Sequence, residues 1–210
     1  MADEDSPVVE AVRSGDTDAF RTLVERHQRR LYAVILRLTG DPGQAEELAH
    51  ETFVKAYRSL PDFRGDAVFG TWLVQIGIHA ARDRFRSARR RRGIVSIEAL
   101  MEARRQDLEP VDRSPAANPA HAVEAAEERE LMRTALAGLS PDHREVLVLK
   151  HFEGWAYERI AEVTGDSVGT LKVRAFRARQ MLRERLAALG WEGPPAGATA
   201  RAEHERASRS

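Results

Sequence analysis

Apolar residues recur at every third or fourth position along most of the chain, which is the spacing of amphipathic helices. The first such segment follows Asp16 and stops at Gly40, and the second opens at Asp41 and ends near Pro61. Aspartate caps and glycine stops are typical of helix ends. These segments, with a third one after a polar loop, predict a helical first domain over residues 8–90. The apolar residues of the third segment are Phe69, Trp72, Leu73, Ile76 and Ala80.

The helical pattern fades over residues 91–121, where three prolines lie among serine, alanine and asparagine, and this composition indicates a flexible linker. It returns over residues 122–187, where the last two segments are separated by the turn Thr164-Gly165-Asp166 and form a predicted helix-turn-helix. Residues 188–210 are rich in Gly, Pro, Ala and Arg and predict a disordered tail. The sequence therefore predicts an all-α protein of two small helical domains.

Charge is segregated along the chain, although 33 basic residues balance 33 acidic ones. Basic residues dominate segments 82–92 and 172–185, whereas segment 98–130 is mostly acidic. Two basic blocks separated by an acidic one indicate two places that contact a polyanion.

The last predicted helix has a polar and basic face outside its core positions. Its partner helix and its own first turn supply Ile160, Ala161, Val168 and Leu171 to the core of the helix-turn-helix. Such a face suits phosphate contacts and readout of base edges in the major groove. The alternative is a solvated basic helix that packs only on its own domain. The face consists of Thr170, Lys172, Val173, Arg174, Phe176, Arg177 and Arg179.

The sequence contains no arrangement of residues that is typical of a catalytic site or a metal site. The chain has no cysteine, which excludes disulfides, thiolate catalysis and cysteine-based zinc sites. His50-Glu51 has no partner at metal-ligand spacing, and His151-Phe152-Glu153 lacks the cysteines of a deaminase zinc site. We therefore predict no catalytic residue, no metal and no cofactor. The chain starts with acidic residues, and none of its apolar runs approaches the ~18 residues of a membrane span. We therefore predict a cytoplasmic protein without membrane insertion.

Short motifs at characteristic spacing stand in both predicted domains. They occupy segments 41–53, 63–66 and 71–76 in the first domain, and segments 140–149, 153–161 and 168–179 in the second. The first set resembles domain two, and the second set resembles domain four, of the extracytoplasmic-function (ECF, group 4) sigma factors of the sigma-70 superfamily. The resemblance covers about residues 10–187. A stand-alone helix-turn-helix transcriptional regulator is the alternative, but it would have no reason to carry the first domain.

The resemblance implies an RNA polymerase sigma factor that directs promoter-specific transcription initiation, with core RNA polymerase, promoter DNA and an anti-sigma factor as partners. In that family the second helix binds a coiled coil of the largest polymerase subunit. Here Glu47, His50, Glu51 and Val54 share one helix face, at spacings of i, i+3, i+4 and i+7. A plain solvated helix face is the alternative. His50 replaces the glutamine that the family usually has.

The resemblance also implies that the loop before the third helix, and the helix itself, capture the unpaired minus-ten element. Aromatic rings would stack on an unpaired base, and a polar stripe on the helix would face the strand. We expect Trp72 and Asp83 on the opposite, core face. Position 79 is usually asparagine in relatives, so His79 is expected to change the base preference. The minus-ten residues are Phe63, Arg64, Phe69, Gln75, His79, Arg82 and Arg86, and the exposed face of the last helix would read the minus-thirty-five element.

Overall fold

The computed structural model describes residues 4–65, 67–92 and 119–191. Every regular element in these ranges is a helix, and the helices form two domains, as the sequence predicts. Most of the predicted linker (91–121) and most of the predicted tail (188–210) lie outside the described residues.

The first domain consists of four α-helices and two short 3-10 turns. Asp16 and Asp41 cap helices as predicted, because their carboxylates accept hydrogen bonds from the backbone of Ala19 and Gln44. A first helix is present that the sequence pattern did not predict, and the buried Asp5 at its start contacts His27 at 2.6 Å. The elements are α1 (Ser6–Arg13), a turn (Thr17–Ala19), α2 (Phe20–Thr39), α3 (Pro42–Ser59), a turn (Leu60–Asp62) and α4 (Phe69–Arg92).

The second domain contains four further α-helices and one π-helical turn. The Ser140 and Ser167 hydroxyls accept hydrogen bonds from the backbone of the first helical turns that follow them. Gly165 ends a helix with a φ of 76°, a left-handed conformation that favours glycine. The elements are α5 (Pro119–Ala137), α6 (Pro141–Leu147), the π-helical turn (Val148–Phe152), α7 (Tyr157–Thr164) and α8 (Val168–Ala188).

Helix α4 is buried on a wider arc than the sequence predicts. It packs against both α2 and α3, so Val74 and Ile78 are buried in addition to Leu73. Close approach to α2 is possible at Gly77, where a Cβ would lie 3.1 Å from Leu31. The predicted core face was wrong at Asp83, which is exposed. A helix that packs between two neighbouring helices buries apolar residues on more than one face. The spacing of three and four residues in the sequence does not by itself show that α4 has two such neighbours.

The two domains contact each other at the C-terminal end of α2. Arg133 of α5 donates a hydrogen bond to the Gly40 carbonyl at 2.7 Å. Arg144 of α6 donates to the Leu38 carbonyl, also at 2.7 Å. A Cβ on Gly40 would lie 2.9 Å from the Cβ of Ala137. The apolar cores of the two domains are therefore continuous at this end of α2.

Candidate nucleic-acid interface

Helices α7 and α8 form the predicted helix-turn-helix. Ile160 and Leu171 are fully buried between them, while Ala161 and Val168 are partly buried at the edge of the same contact. The left-handed Gly165 allows the chain to turn sharply between the two helices. The packing holds α8 on the outside of the domain.

The outer face of α8 exposes apolar side chains among cations. Val173 is 53% exposed and Phe176 is 56% exposed, and Arg177 lies beside them at one helical turn from Val173. Thr170, Lys172 and Arg179 are exposed as well. Large apolar groups exposed on a basic helix are suited to base edges such as the thymine methyl group, while the cations suit guanine and phosphates. A surface concavity of about 450 Å³ adjoins this face and is lined by His143, Gly169, Thr170, Val173, Arg174 and Arg177.

Arg174 differs from its neighbours on α8. Its two terminal nitrogens donate hydrogen bonds to the carboxylate of Asp166, at 2.5 and 3.2 Å. The hydrogen bond to Asp166 raises the pKa of Arg174, so the guanidinium stays charged. Arg174 was expected to contact DNA, but this bidentate ion pair ties it to the turn before α8. Arg174 therefore holds α8 in place.

The two phenylalanines predicted to stack on a base lie inside the first domain. Phe69 has no exposed surface and Phe63 is only 9% exposed. They pack with Trp72, whose ring centroid lies 4.8 Å from that of Phe63 and 5.7 Å from that of Phe69. Neither ring is therefore open to a base in this arrangement, because Phe69 is the first residue of α4 and faces the core, as its helical spacing predicts, and Phe63 packs against it. The stacking role of both phenylalanines stays a prediction. Trp72, which we expected in the core, is the partly exposed ring of the cluster.

The loop before α4 exposes other groups. Arg64 is exposed, as expected, and so is Val68, at 53%. Val68 was missed because a single valine in a loop carries no periodic signal. Together with the accessible edge of Trp72, these side chains mark the place where an unpaired strand could be held.

The polar stripe of α4 is only partly open to solvent. His79 and Arg86 are exposed and Gln75 is partly buried. Arg82 is only 20% exposed, because its guanidinium lies 2.9 Å from the Glu145 carboxylate and donates to the Thr164 carbonyl at 2.9 Å. Both partners of Arg82 belong to the second domain.

Glu145 is a buried acid. Burial raises its pKa above the ordinary glutamate value, and the nearby charge of Arg82 opposes this shift only in part. The carboxylate therefore depends on Arg82 as a partner when it is ionised.

The outer face of α3 carries the acidic and apolar groups that the sequence predicts. His50 and Glu51 are exposed and Val54 is partly buried. Glu47 is exposed too, but its carboxylate accepts a hydrogen bond from Arg84 of α4 at 2.6 Å. Tyr57, one turn beyond Val54, is 40% exposed and extends this face. The spacing of three residues from Val54 could have indicated Tyr57.

Comparison with known proteins identifies both domains. The protein family described as "Sigma-70 region 2" matches residues 23–91, and the family described as "Sigma-70, region 4" matches residues 129–182. The chain is 35% identical to the RNA polymerase sigma-H factor of Pseudomonas aeruginosa over 188 residues, covering 88% of this chain and 94% of that protein. It is 31% identical to the ECF RNA polymerase sigma-E factor of Escherichia coli K12 over 182 residues, covering 85% and 92%. The chain belongs to the ECF sigma factors.

Solved structures of sigma factors resemble this sigma factor over most of its length. The sigma factor RpoE in complex with the anti-sigma factor NepR from Bartonella quintana aligns with a TM-score of 0.55 and 27% identity, covering 80% of this chain and 96% of that one. CnrH in complex with the cytosolic domain of CnrY aligns with a TM-score of 0.57 and 28% identity, covering 88% and 97%. The outer face of α8 therefore lies in the sigma-70 region 4 of this sigma factor, and the α3 and α4 faces lie in region 2.

The described part of this sigma factor contains neither a helix that could span a membrane nor a cluster of residues that could hold a metal ion. Within residues 4–65, 67–92 and 119–191, no helix is both long and apolar enough to cross a membrane. The same residues contain no cluster of three or more histidines and carboxylates that could hold a metal ion.

Proposed function

We propose that this sigma factor binds core RNA polymerase through α3 and reads promoter DNA at two elements, without catalysing a reaction itself. The observation that carries the proposal is the outer face of α8, where Val173 and Phe176 stand exposed beside Arg177 on a basic helix. Exposure of two large apolar groups on one turn disfavours the alternative of a merely solvated helix.

At the minus-thirty-five element, Arg177 contacts a guanine, and Val173 and Phe176 contact neighbouring bases. Lys172 and Arg179 contact phosphates, which contribute affinity without sequence preference. Thr170 lies at the start of α8, where it reaches the same groove, whereas Arg174 acts through the turn that it holds.

At the minus-ten element, His79 reads a base edge or stacks on it, because neutral imidazole can donate and accept hydrogen bonds and presents a ring. Gln75 and Arg86 lie one or two turns away on the same stripe. Arg64 follows the backbone of the strand, and the exposed edge of Trp72 replaces the phenylalanines as the candidate for stacking.

For polymerase binding, Glu51 and Val54 supply the acidic and apolar parts of the contact, and His50 and Glu47 flank them. An acidic face is complementary to a basic coiled coil. An anti-sigma factor is a further partner, which is supported by the RpoE and NepR complex that the chain resembles. These partners are consistent with action in the cytoplasm.

The proposal is tested by reconstituted transcription with purified core polymerase and a promoter library. We expect specific transcripts only when both proteins are present, and we expect the Arg177→Ala variant to bind core normally but to relax the preference at one base pair of the minus-thirty-five element. A chain that bound duplex DNA as a dimer and gave no transcript with core would be a helix-turn-helix regulator, and the proposal would be wrong.

A further inference from the structure

Helix α1 joins the first domain through the residue that precedes it. The helix lies before residues 23–91, which the region 2 family matches. The preceding residue, Asp5, is only 5% exposed, although aspartate is rarely buried without partners. Its carboxylate makes no capping hydrogen bond to the backbone of α1, which is the usual task of an aspartate at this position. The buried carboxylate therefore serves a contact with another element.

That other element is α2, which offers two adjacent side chains to Asp5. Arg26 donates a hydrogen bond from Nη1 to one carboxylate oxygen at 3.0 Å. The Nε2 atom of His27 lies 2.6 Å from the other carboxylate oxygen. A buried carboxylate is costly unless it is paired, and these two contacts supply the pairing. Asp5 thus fixes the edge of the His27 ring that carries Nε2.

The His27 ring also contacts the start of α4. Its centroid lies 5.4 Å from that of Phe69, the first residue of α4. At the next position, a Cβ on Gly70 would lie 2.9 Å from Cε1 of His27, which is closer than carbon atoms pack. The imidazole thus fills the space that the glycine leaves, and the His27 side chain is only 15% exposed. The place of this ring and the place of the first turn of α4 therefore depend on each other.

The first turn of α4 follows directly on the loop that is proposed to hold the minus-ten strand. Val68 of this loop is 53% exposed, and its carbonyl accepts hydrogen bonds from the backbone of Thr71 and Trp72, at 2.9 and 3.1 Å. Trp72 in turn packs on Phe69, with ring centroids 5.7 Å apart. A displacement of Phe69 and its turn would therefore move both Val68 and Trp72. The outer faces of α3 and α8 take no part in these contacts.

From these contacts, and resting on the proposed function, we propose that Asp5 and His27 are positioning residues for recognition of the minus-ten element. Asp5 orients the imidazole, and the imidazole holds the first turn of α4, so that Val68 and Trp72 keep the arrangement that binds an unpaired strand. Neither positioning residue touches DNA. The affinity for the strand is proportional to the fraction of molecules in which this turn is in place, so a loss of the Asp5–His27 contact lowers it.

Substitutions of Asp5 test the proposal in the complex of the full chain with core polymerase. Asp5→Ala should lower the affinity for a labelled minus-ten single strand by about tenfold, the loss expected if about one molecule in ten keeps the turn in place. Binding of core polymerase and binding of minus-thirty-five duplex should not change. Asp5→Asn keeps an acceptor oxygen for His27 and should retain most of the strand affinity. Glu10→Ala, which removes an exposed carboxylate from the same helix, is the control.

A substitution of Gly70 disturbs the same contact from the other side. The methyl group of Gly70→Ala would meet the His27 ring, and the Nη1 atom of Arg30 would lie 3.3 Å from it. We expect Gly70→Ala to lower the strand affinity by about fivefold, because the ring or the turn must shift. In a His27→Ala background the methyl group has space, so Gly70→Ala should cause no further loss. An equal loss in both backgrounds would assign the effect to Arg30 and overturn the role of His27.

The positioning role and the proposed function fail in different ways. If the complex with the unmodified chain did not bind the minus-ten strand, the proposed reading of that element would be wrong, and the positioning role with it. If the unmodified chain bound the strand and Asp5→Ala bound it equally well, only the positioning role would be wrong. If Asp5→Ala lost strand binding and core binding together, the pair would merely stabilise the first domain, which would also overturn the positioning role.

Discussion

A substitution of Gly40 by alanine tests whether the domains are packed together in solution. Gly40 ends α2 with a φ of 75°, and Gly165 ends α7 with a φ of 76°. The two glycines thus have almost the same backbone conformation at the same position of a helix end. They differ in surroundings, because a Cβ on Gly40 would lie 2.9 Å from the Ala137 Cβ, whereas a Cβ on Gly165 would have no atom of the described structure within 4 Å.

The expected magnitudes follow from this difference. A left-handed conformation costs an alanine about 1 kcal/mol relative to glycine, so Gly165→Ala should lower the free energy of unfolding by that amount. Gly40→Ala carries the same penalty and also forces the domains apart at Ala137. Overpacking of this kind adds about 1 to 2 kcal/mol. We therefore expect Gly40→Ala to lower the free energy of unfolding by about 2 to 3 kcal/mol.

Urea unfolding followed by circular dichroism measures both variants under the same conditions. A double variant, Gly40→Ala with Ala137→Gly, removes the close contact, so a double-mutant cycle should show a favourable coupling between the two changes. If Gly40→Ala were no more destabilising than Gly165→Ala, and the cycle showed no coupling, the domains would not be packed at Gly40 and the reasoning would be refuted.

Four further results are expected. Glu51→Arg should weaken the binding of core polymerase in a pull-down assay, because it places like charge against a basic partner, while the circular dichroism spectrum stays unchanged. Arg177→Ala should reduce duplex affinity by ~1–3 kcal/mol and relax the preference at one base pair, whereas Lys172→Ala should weaken all sequences alike and reduce the salt slope by about one. His79→Asn should change the base preference in a library randomised only in the minus-ten element, and an unchanged profile would exclude His79 as a reader. Burial raises the pKa of Glu145, so the folded protein keeps a proton that the unfolded chain releases above the ordinary glutamate pKa. The free energy of unfolding should therefore fall as the pH rises from the ordinary glutamate pKa through the raised pKa of the folded state. Glu145→Gln should make the free energy of unfolding, measured by urea titration, less dependent on pH over this range.

The helix ends were predicted well because capping and turn formation depend on residues that are neighbours in the sequence. Asp41 and Ser140 cap the helices that follow them, and Gly165 forms the turn between α7 and α8. Helix α1 was missed because its eight residues are fewer than the window in which helical periodicity is recognised, and because a contact between Asp5 and His27, 22 positions along the chain, holds it.

Contacts with other parts of the chain account for the surroundings that the sequence did not predict at the candidate site. Arg82 was predicted to face DNA, but its partner Glu145 lies 63 positions away and reaches it only after both domains fold and meet. Phe63 was assigned to a strand-binding loop on the strength of its position, whereas it is buried against Phe69 and Trp72 of α4. Arg174 and Asp166 pair across a turn, a contact that helical spacing does not describe.

The contact between the two domains at the end of α2 has a consequence for the genetics of this sigma factor. Arg133 and Arg144 recognise main-chain carbonyls, namely those of Gly40 and Leu38. A carbonyl is present whatever the side chain, so point mutations on the α2 side leave these acceptors in place. A screen for variants in which the two domains no longer pack together should therefore recover changes mainly at the arginines. Substitutions along the end of α2 would be tolerated for the same reason, and relatives could keep this contact while losing sequence identity there.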